Sequence, residues 1–206
     1  MKENYSKLCE EIINNLDYTP SLLLHSCCGP CSSYVIEFLS DYFNITVLYY
    51  NPNISPIDEY EKRKQEQLRL ITELKTKNKV NFLDCDYDNN LYEETIKGLE
   101  NEKEGGARCL KCFTLRLKKT ALVASLNNFD YFTTTLSVSP YKNSQVLNEI
   151  GLKLQAKYHI KWLYSDFKKK DGYKKSILLS KKYNLYRQNY CGCIYSKKES
   201  MTNNIS

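Results

Sequence analysis

Apolar residues recur along this chain with two alternating periods. Leu8, Ile12 and Leu16 fall four apart, which predicts a helix over Tyr5 to Leu16 with one apolar stripe. Leu22-Leu23-Leu24 is a continuous apolar run, as in a short strand buried on both faces, and Ser21 to Ser26 is read as the first strand. Ser32 to Ser40 is an amphipathic helix. Asn44 to Tyr50 is β-branched and aromatic, a second strand closed by the turn residues Asn51-Pro52-Asn53. Ser55-Pro56 reads as an N-cap and first helical position, with Asp58 and Glu59 in the first turn. That helix runs to about Lys77, with Tyr60, Leu68, Ile71 and Leu74 facing inward. Val80 to Tyr87 is a third strand and Asp88 to Leu99 a weaker helix. After the break at Gly105-Gly106, the spacing of Leu110, Phe113, Leu117, Ala121 and Ala124 predicts another helix. Tyr131 to Ser137 is a fourth strand, ending at Ser139-Pro140. Val146, Ile150, Leu154 and Tyr158 form the next helical stripe. Lys161 to Phe167 is a fifth strand, and Lys174 to Tyr183 a last helix before Tyr190-Cys191-Gly192-Cys193.

Strands alternating with helices predict an α/β fold: a mostly parallel sheet, right-handed crossovers and helices on both faces. The carboxyl ends of the strands then share one edge. The Cys27 turn, the Asn51-Pro52-Asn53 turn and the Ser137-Val138-Ser139-Pro140 loop are expected on that rim. No internal repeat or low-complexity linker interrupts the pattern. The expectation is one α/β domain over residues 1–206, with a basic, cysteine-containing C-terminal segment from about 168. Nothing approaches the ~18 consecutive apolar residues of a membrane span. Met1 to Glu10 is polar, without the apolar core of a signal peptide, so a cytoplasmic protein is expected.

Charge adds one feature. Lys157 to Lys198 holds eleven Lys and one Arg against two Asp, a net +10 in a chain of +6. Seven tyrosines interleave with it: Tyr158, Tyr164, Tyr173, Tyr183, Tyr186, Tyr190 and Tyr195. That combination fits a phosphate-backbone footprint with stacking surfaces, or equally a solvated lysine face.

The chemistry lies in nine cysteines, which in a reducing compartment point to metal ligands or catalytic thiols rather than a disulfide scaffold. Cys27, Cys28 and Cys31 follow the first strand, where an open α/β sheet binds its ligand. A phosphate loop would present glycine amides there; this chain presents sulfur. Cys109 and Cys112 stand in C-x-x-C spacing at a helix start, where the backbone dipole favours thiolate. Four thiolates from the two loops can hold a tetrahedral zinc or an iron–sulfur cluster, and spacing alone does not separate the two. Cys31 is a spare ligand or a core thiol. Cys9 and Cys85 fit core packing. Cys191-Gly192-Cys193 fits a strained, easily reduced redox pair, or two more metal ligands. His25, beside the thiols, is substrate-facing or a satisfied core histidine. His159 belongs to the surface.

Six blocks carry a resemblance. They are His25-Ser26-Cys27-Cys28-Gly29-Pro30-Cys31; Tyr50-Asn51-Pro52-Asn53-Ile54; Glu104 to Phe113 with Arg116-Leu117; Phe132 to Asn143; Asp166 to Tyr173; and Tyr186 to Ser196. In this order, over nearly the whole chain, they resemble the QueH-type epoxyqueuosine reductases. The resemblance implies a Rossmann-like fold related to the PP-loop ATPases that modify tRNA. It implies a [4Fe–4S] cluster, with a further iron beside it in the family. The implied reaction reduces epoxyqueuosine at the tRNA wobble position to queuosine, with the epoxide oxygen lost as water.

Carried over by motif, Cys27, Cys28, Cys109 and Cys112 are the cluster-site cysteines, and Cys191 and Cys193 the redox-active pair. Cys31 stands where the family carries Cys or Asp, which implies a ligand to the second iron; one of the other four can also serve that iron. The implied partner is the anticodon stem-loop of a tRNA bearing epoxyqueuosine, with an electron donor the sequence does not name. Two other classes stay open from the residues alone. One is a PP-loop tRNA-modifying ATPase, against which the Cys-Cys-Gly-Pro-Cys turn speaks. The other is a zinc-stabilised RNA-binding domain.

Overall fold

Leu22, Leu23 and Leu24 are fully buried because their strand, β1 (Ser21–His25), is the centre of the sheet. The computed structural model describes residues 3–202; Met1, Lys2 and residues 203–206, parts of the polar N-terminal stretch and of the 1–206 span, lie outside the described residues. On one side β1 pairs with β2 (Asn44–Leu48), which pairs with β3 (Val80–Leu83). On the other it pairs with β4 (Tyr131–Thr134), which pairs with β5 (Lys161–Trp162). All pairings are parallel, in the order β3-β2-β1-β4-β5.

Side chains of a strand alternate between faces, and the core follows that rule. Leu22 and Leu24 pack with α1 (Tyr5–Asn14), α2 (Gly29–Leu39), α3 (Ile57–Glu73) and α7 (Gly172–Lys182). Leu23 packs with α5 (Ala107–Leu126) and α6 (Ser144–Tyr158). The α/β, Rossmann-like expectation with helices on both faces is met. Because the chain winds outward from β1 in both directions, the crossovers diverge between β1 and β4. That divergence leaves a crevice at the carboxyl ends of the two strands. His25 is in register with Leu48 and Thr134, so the three central strands end level.

Several boundaries differ from expectation, each for a local reason. β4 stops at Thr134, whose Oγ1 accepts from Leu136 N at 3.1 Å and starts a 3-10 turn over Thr135–Val138. β5 is two residues long; beyond it the Asn148 side chain serves the backbone, accepting from Ser165 N (3.0 Å) and donating to Ser165 O (2.8 Å). β3 ends at Leu83, not Tyr87. α2 begins at Gly29, three residues early, since Pro30 is tolerated in a first turn. The buried face of α3 is Tyr60, Arg63, Gln67 and Leu70, continued by Leu74; Leu68 and Ile71 are only half-buried. Leu110 of α5 is exposed. The remaining helices are α4 (Asn89–Ile96) and α8 (Ile194–Thr202). α8 was not expected, having no apolar period. Polar contacts hold it instead: Arg108 with Glu199 at 3.0 Å, Tyr195 with Glu93 at 2.8 Å, and Ser196 with Glu104 at 2.9 Å. No described helix is long and apolar enough to cross a membrane.

Gly151 of α6 gives a test of the packing. A Cβ there would meet Trp162 Cδ2 at 2.2 Å. Alanine normally favours a helix over glycine by roughly 1 kcal/mol; here the overlap with a fully packed indole reverses the sign. Gly151→Ala is expected to destabilise by about 1–3 kcal/mol, read as a lower urea midpoint at unchanged slope. A midpoint equal to or above wild type would show that Trp162 can move aside.

Candidate metal centre

Three thiols converge where β1 runs into α2. Cys27 leaves the strand, Cys28 caps the helix in extended conformation, and Cys31 sits in the first turn. Their sulfurs lie within 4.8 Å of one another, with Cys27 and Cys28 Sγ 3.9 Å apart. Neighbours at the crevice hold the turn. Thr135 Oγ1 accepts from Cys27 N at 3.2 Å and donates to Cys27 Sγ at 3.4 Å. Asn51 Nδ2 donates to Ser26 O at 2.8 Å. Gln67 Oε1 accepts from both Ser26 Oγ and Ser32 Oγ, each at 2.7 Å. The expected common rim therefore exists: the ends of β1, β2 and β4 meet around these sulfurs.

Cys109 and Cys112, one turn apart, occupy the first turns of α5. Gly105 N donates to Cys109 Sγ at 3.2 Å, and Arg116, one turn beyond, brings Nη1 to 4.0 Å from Cys112 Sγ. The two thiols share a helix face with that guanidinium but do not belong to the close triad. The expected set of Cys27, Cys28, Cys109 and Cys112 is thus drawn from two neighbouring groups, and Cys31 stands inside the first.

The Cys191-Gly192-Cys193 segment lies against the same region. Cys193 is buried with Tyr92, Ile96 and Cys112. Gly192 O accepts from Ser55 N at 3.1 Å, and Cys191 O from Arg63 Nη1 at 3.3 Å. Gly192 has φ +122°, and a Cβ there would reach Ile54 Cγ1 at 2.9 Å and Arg63 Nη1 at 3.0 Å, so only glycine fits. Both cysteines are free thiols.

Electrostatics differ from thiol to thiol. Hydrogen bonds from Cys28 and Cys31, then the Arg116 and Lys142 charges, carry Cys27 well below the usual thiol range. The Cys27 thiolate in turn pushes Cys28 up to about 12 and raises Cys31. Burial pushes Cys112 up to about 12, Cys193 up to about 11, and raises Cys109. Cys27 is therefore the first thiol of the metal-free site to ionise, and a metal must displace protons from the rest. Three soft sulfurs this close suit a thiophilic metal.

Cations that sequence patterning did not single out surround the thiols. Arg63, Arg108 and Arg116 are almost wholly buried. Burial disfavours the charge of half-buried Lys142, but Cys191, Cys27, Cys31 and Glu104 outweigh that and raise its pKa. Arg63 and Gln67 could have been found by asking which residues fill the stripe from Tyr60 through Leu70 to Leu74. His25 is a satisfied core histidine: Nδ1 is 2.8 Å from Thr134 Oγ1 and Nε2 3.2 Å from Arg116 Nε. His159 is exposed, ending α6 in a left-handed conformation. Cys9 is buried in the core and Cys85 half-buried against it.

Of the basic segment, Lys169, Lys174 and Lys175 are exposed, whereas Lys168 pairs with Asp166 at 2.7 Å and Lys170 with Glu10. The seven interleaved tyrosines are half-buried, and some are engaged internally, as in Tyr186 with Glu59 at 3.0 Å. The freest aromatic ring near the rim is Tyr141, 79% exposed and next to Lys142.

Comparison with known proteins agrees over the same span. A family model described as epoxyqueuosine reductase QueH matches residues 22–199. A protein of that description from Streptococcus pyogenes serotype M1 is 44% identical over 202 residues, covering 96% of this chain and 79% of its own. One from Staphylococcus epidermidis is 41% identical, covering 95% and 85%. One from Thermotoga maritima is 32% identical, covering 87% and 91%.

The uneven thiol acidity has a direct readout. In metal-free protein treated with limiting iodoacetamide at neutral pH, Cys27 is expected to be alkylated before Cys112 and Cys9, which burial pushes up to about 12. Raising the pH should narrow the difference, because Cys112 and Cys9 then gain thiolate. Equal labelling at neutral pH by peptide mass spectrometry would contradict the assignment.

Proposed function

This chain belongs to the epoxyqueuosine reductase QueH family; it is an oxidoreductase of queuosine formation, and we propose that it deoxygenates epoxyqueuosine in tRNA at the crevice between β1 and β4. The observation that carries this reading is the convergence of Cys27, Cys28 and Cys31 where the chain order reverses, beside Cys109 and Cys112 on α5. Sulfur occupies the place where a nucleotide-binding α/β protein presents a phosphate loop.

The balance of the reaction sets what the residues must do. Opening the epoxide to an alkene breaks two carbon–oxygen bonds, takes up two electrons and two protons, and releases water. Cys27, Cys28, Cys109 and Cys112 would hold a [4Fe–4S] cluster, and Cys31 an adjacent iron. When bound, such a cluster supplies low-potential electrons singly and an iron offers a Lewis acid for the departing oxygen. The donor set fits: soft sulfurs, three of them within 4.8 Å, ringed by buried cations that favour their ionised form. Thr135 and Asn51 fix the Cys27 turn so that the sulfurs stay aimed into the crevice. Lys142 keeps its proton on Nζ next to the thiols and presents a fixed positive charge to an oxygen gaining negative charge. Cys191 and Cys193 would pass two electrons inward by going from dithiol to disulfide, releasing two protons, and an external reductant would restore them. The contact of Cys191 O with Arg63 and of Cys193 with Cys112 of α5 supports that relay.

The substrate is a nucleoside within an RNA. The exposed Lys169, Lys174 and Lys175 offer phosphate contacts, and Tyr141 offers a ring for a splayed base. One α/β domain with a basic C-terminal segment then serves both chemistry and binding.

Iron- and sulfide-loaded protein with a strong reductant, and without nucleotide or cobalamin, is expected to convert epoxyqueuosine-containing tRNA. Digestion and mass spectrometry should show the nucleoside lose one oxygen. Cys109→Ser or Cys112→Ser should abolish both iron content and conversion; Cys191→Ser should slow conversion with the cluster spectrum intact. An unchanged nucleoside mass, or a requirement for ATP, would overturn the reading. Loss of the cluster spectrum in Cys191→Ser would turn the pair into ligands.

RNA binding should weaken steeply with salt, with a log–log slope of roughly −0.7 per single-strand phosphate contact. Replacing Lys169, Lys174 and Lys175 by Gln together should flatten that slope by about 2 on the same rule. An unchanged slope would make this a solvated face.

A further inference from the structure

Among the described residues, Arg116 is the one of the three buried arginines of this centre that no carboxylate meets. Arg63 pairs with Glu59 at 2.7 Å and Arg108 with Glu199 at 3.0 Å. Among the described residues, no acidic side chain comes within 4.0 Å of the Arg116 guanidinium. Yet Arg116 is 1% exposed. Its partners are neutral. Nη2 donates to Asn51 Oδ1 at 2.5 Å, and Nε donates to His25 Nε2 at 3.2 Å. Nε2 of His25 also lies 3.2 Å from Tyr50 O, and Nδ1 lies 2.8 Å from Thr134 Oγ1, so both ring nitrogens are engaged, and a ring that accepts from a guanidinium is a neutral one.

A guanidinium cannot shed its charge as a buried lysine does. Leaving it buried without an anion is strongly unfavourable. The groups that can supply negative charge are the sulfurs: Cys112 Sγ lies 4.0 Å from Nη1, and the charges of Cys191 and Cys27 also act on Arg116. The network that fixes the guanidinium runs from the end of β1 (His25) through the end of β2 (Asn51) to α5, and Asn51 also binds Ser26 O next to Cys27. The cation is therefore anchored to both thiol groups by a rigid, neutral frame.

We propose that Arg116 is the built-in counter-charge of the thiolate centre and holds its reduction potential upward. The proposal rests on the reading that these cysteines carry an iron–sulfur cluster. A cluster ligated by thiolates is anionic and gains one further negative charge on reduction. A fixed cation beside its sulfurs favours the reduced form, because net local charge is one of the factors that set such potentials. Arg116 thus acts through the cluster as a positioning and charge-setting residue, without touching substrate.

The test is a spectroelectrochemical titration of the anaerobically loaded, full-length protein, with iron and sulfide content measured on each sample. Four forms are compared: wild type, Arg116→Lys, Arg116→Gln and Asn51→Asp. The last sets a carboxylate against Nη2 and gives up the Nδ2 bond to Ser26 O, so its midpoint is read only on samples with full iron and sulfide content. Arg116→Gln and Asn51→Asp are expected to shift the midpoint to lower potential at full iron content, and Arg116→Lys to stay near wild type. A wild-type midpoint in iron-replete Arg116→Gln overturns the proposal while leaving the cluster reading intact. If that variant fails to hold iron, Asn51→Asp decides by the same criterion. If neither holds iron, retention by Arg116→Lys supports the counter-charge role and loss from it overturns the role. Wild-type protein that binds no iron and sulfide overturns the cluster reading and the proposal together.

Discussion

The site depends on one constraint, the position of β1 between β2 and β4. A strand of three leucines buried on both faces can only sit in the middle of a two-sided sheet. Once it does, successive crossovers must diverge from it, and the opening between β1 and β4 follows from the order of the strands. His25, Leu48 and Thr134 end level because parallel pairing keeps them in register. The loops that leave those three positions carry Cys27, Asn51 and Thr135. The hydrogen bonds among them are consequences of that shared end point.

The second organising fact is the meeting of buried cations with thiols. A cysteine buried in apolar surroundings resists ionisation, and Cys112 and Cys193 show that resistance. Arg63, Arg108, Arg116 and Lys142 lie where they reduce the cost of thiolate for the group as a whole. Two of these arginines are neutralised within the protein by Glu59 and Glu199; Arg116 and Lys142 answer to the sulfurs. This distribution makes the polar interior of the crevice intelligible as one system. Its cations are uncomfortable without negative sulfur, and its thiols are hard to ionise without the cations.

The C-terminal part of the chain completes that system by polar means. α8 has little apolar surface, and its anchors are Arg108, Glu93 and Glu104. These contacts bring Cys193 back to Cys112 of α5 and to Tyr92 and Ile96 of α4, all far earlier in the chain. The glycine between them is required by its positive φ and by the closeness of Ile54 and Arg63. The basic stretch is divided by the fold: Lys168 and Lys170 are tied to carboxylates, while Lys169, Lys174 and Lys175 face solvent. The tyrosines between them are partly absorbed into packing, and the exposed aromatic next to the crevice is Tyr141, on a different loop.

Much of this was legible in the order of residues. The leucine run, the β-branched second strand and the alternation of periods specify a two-sided parallel sheet, because burial on both faces leaves no polar alternation. The Cys-Cys-Gly-Pro-Cys turn after the first strand, and the C-x-x-C at a helix start, mark the chemistry locally, because each pair needs only its own helix to orient it. What the sequence could not decide was which distant groups meet. Ile71 packs half-buried against the core as read, but Leu68 is only half-buried and Arg63 and Gln67 fill the buried stripe of α3, since the neighbouring crevice rewards polar groups that can reach Cys191, Ser26 and Ser32. β5 shortened because Asn148 on α6 supplied its hydrogen bonds, and α8 formed because Arg108, Glu93 and Glu104, all from earlier in the chain, received it. The charge environment of Arg116 is likewise invisible in its helix. Its partners come from the ends of β1 and β2, and only the closing of the parallel sheet brings them together.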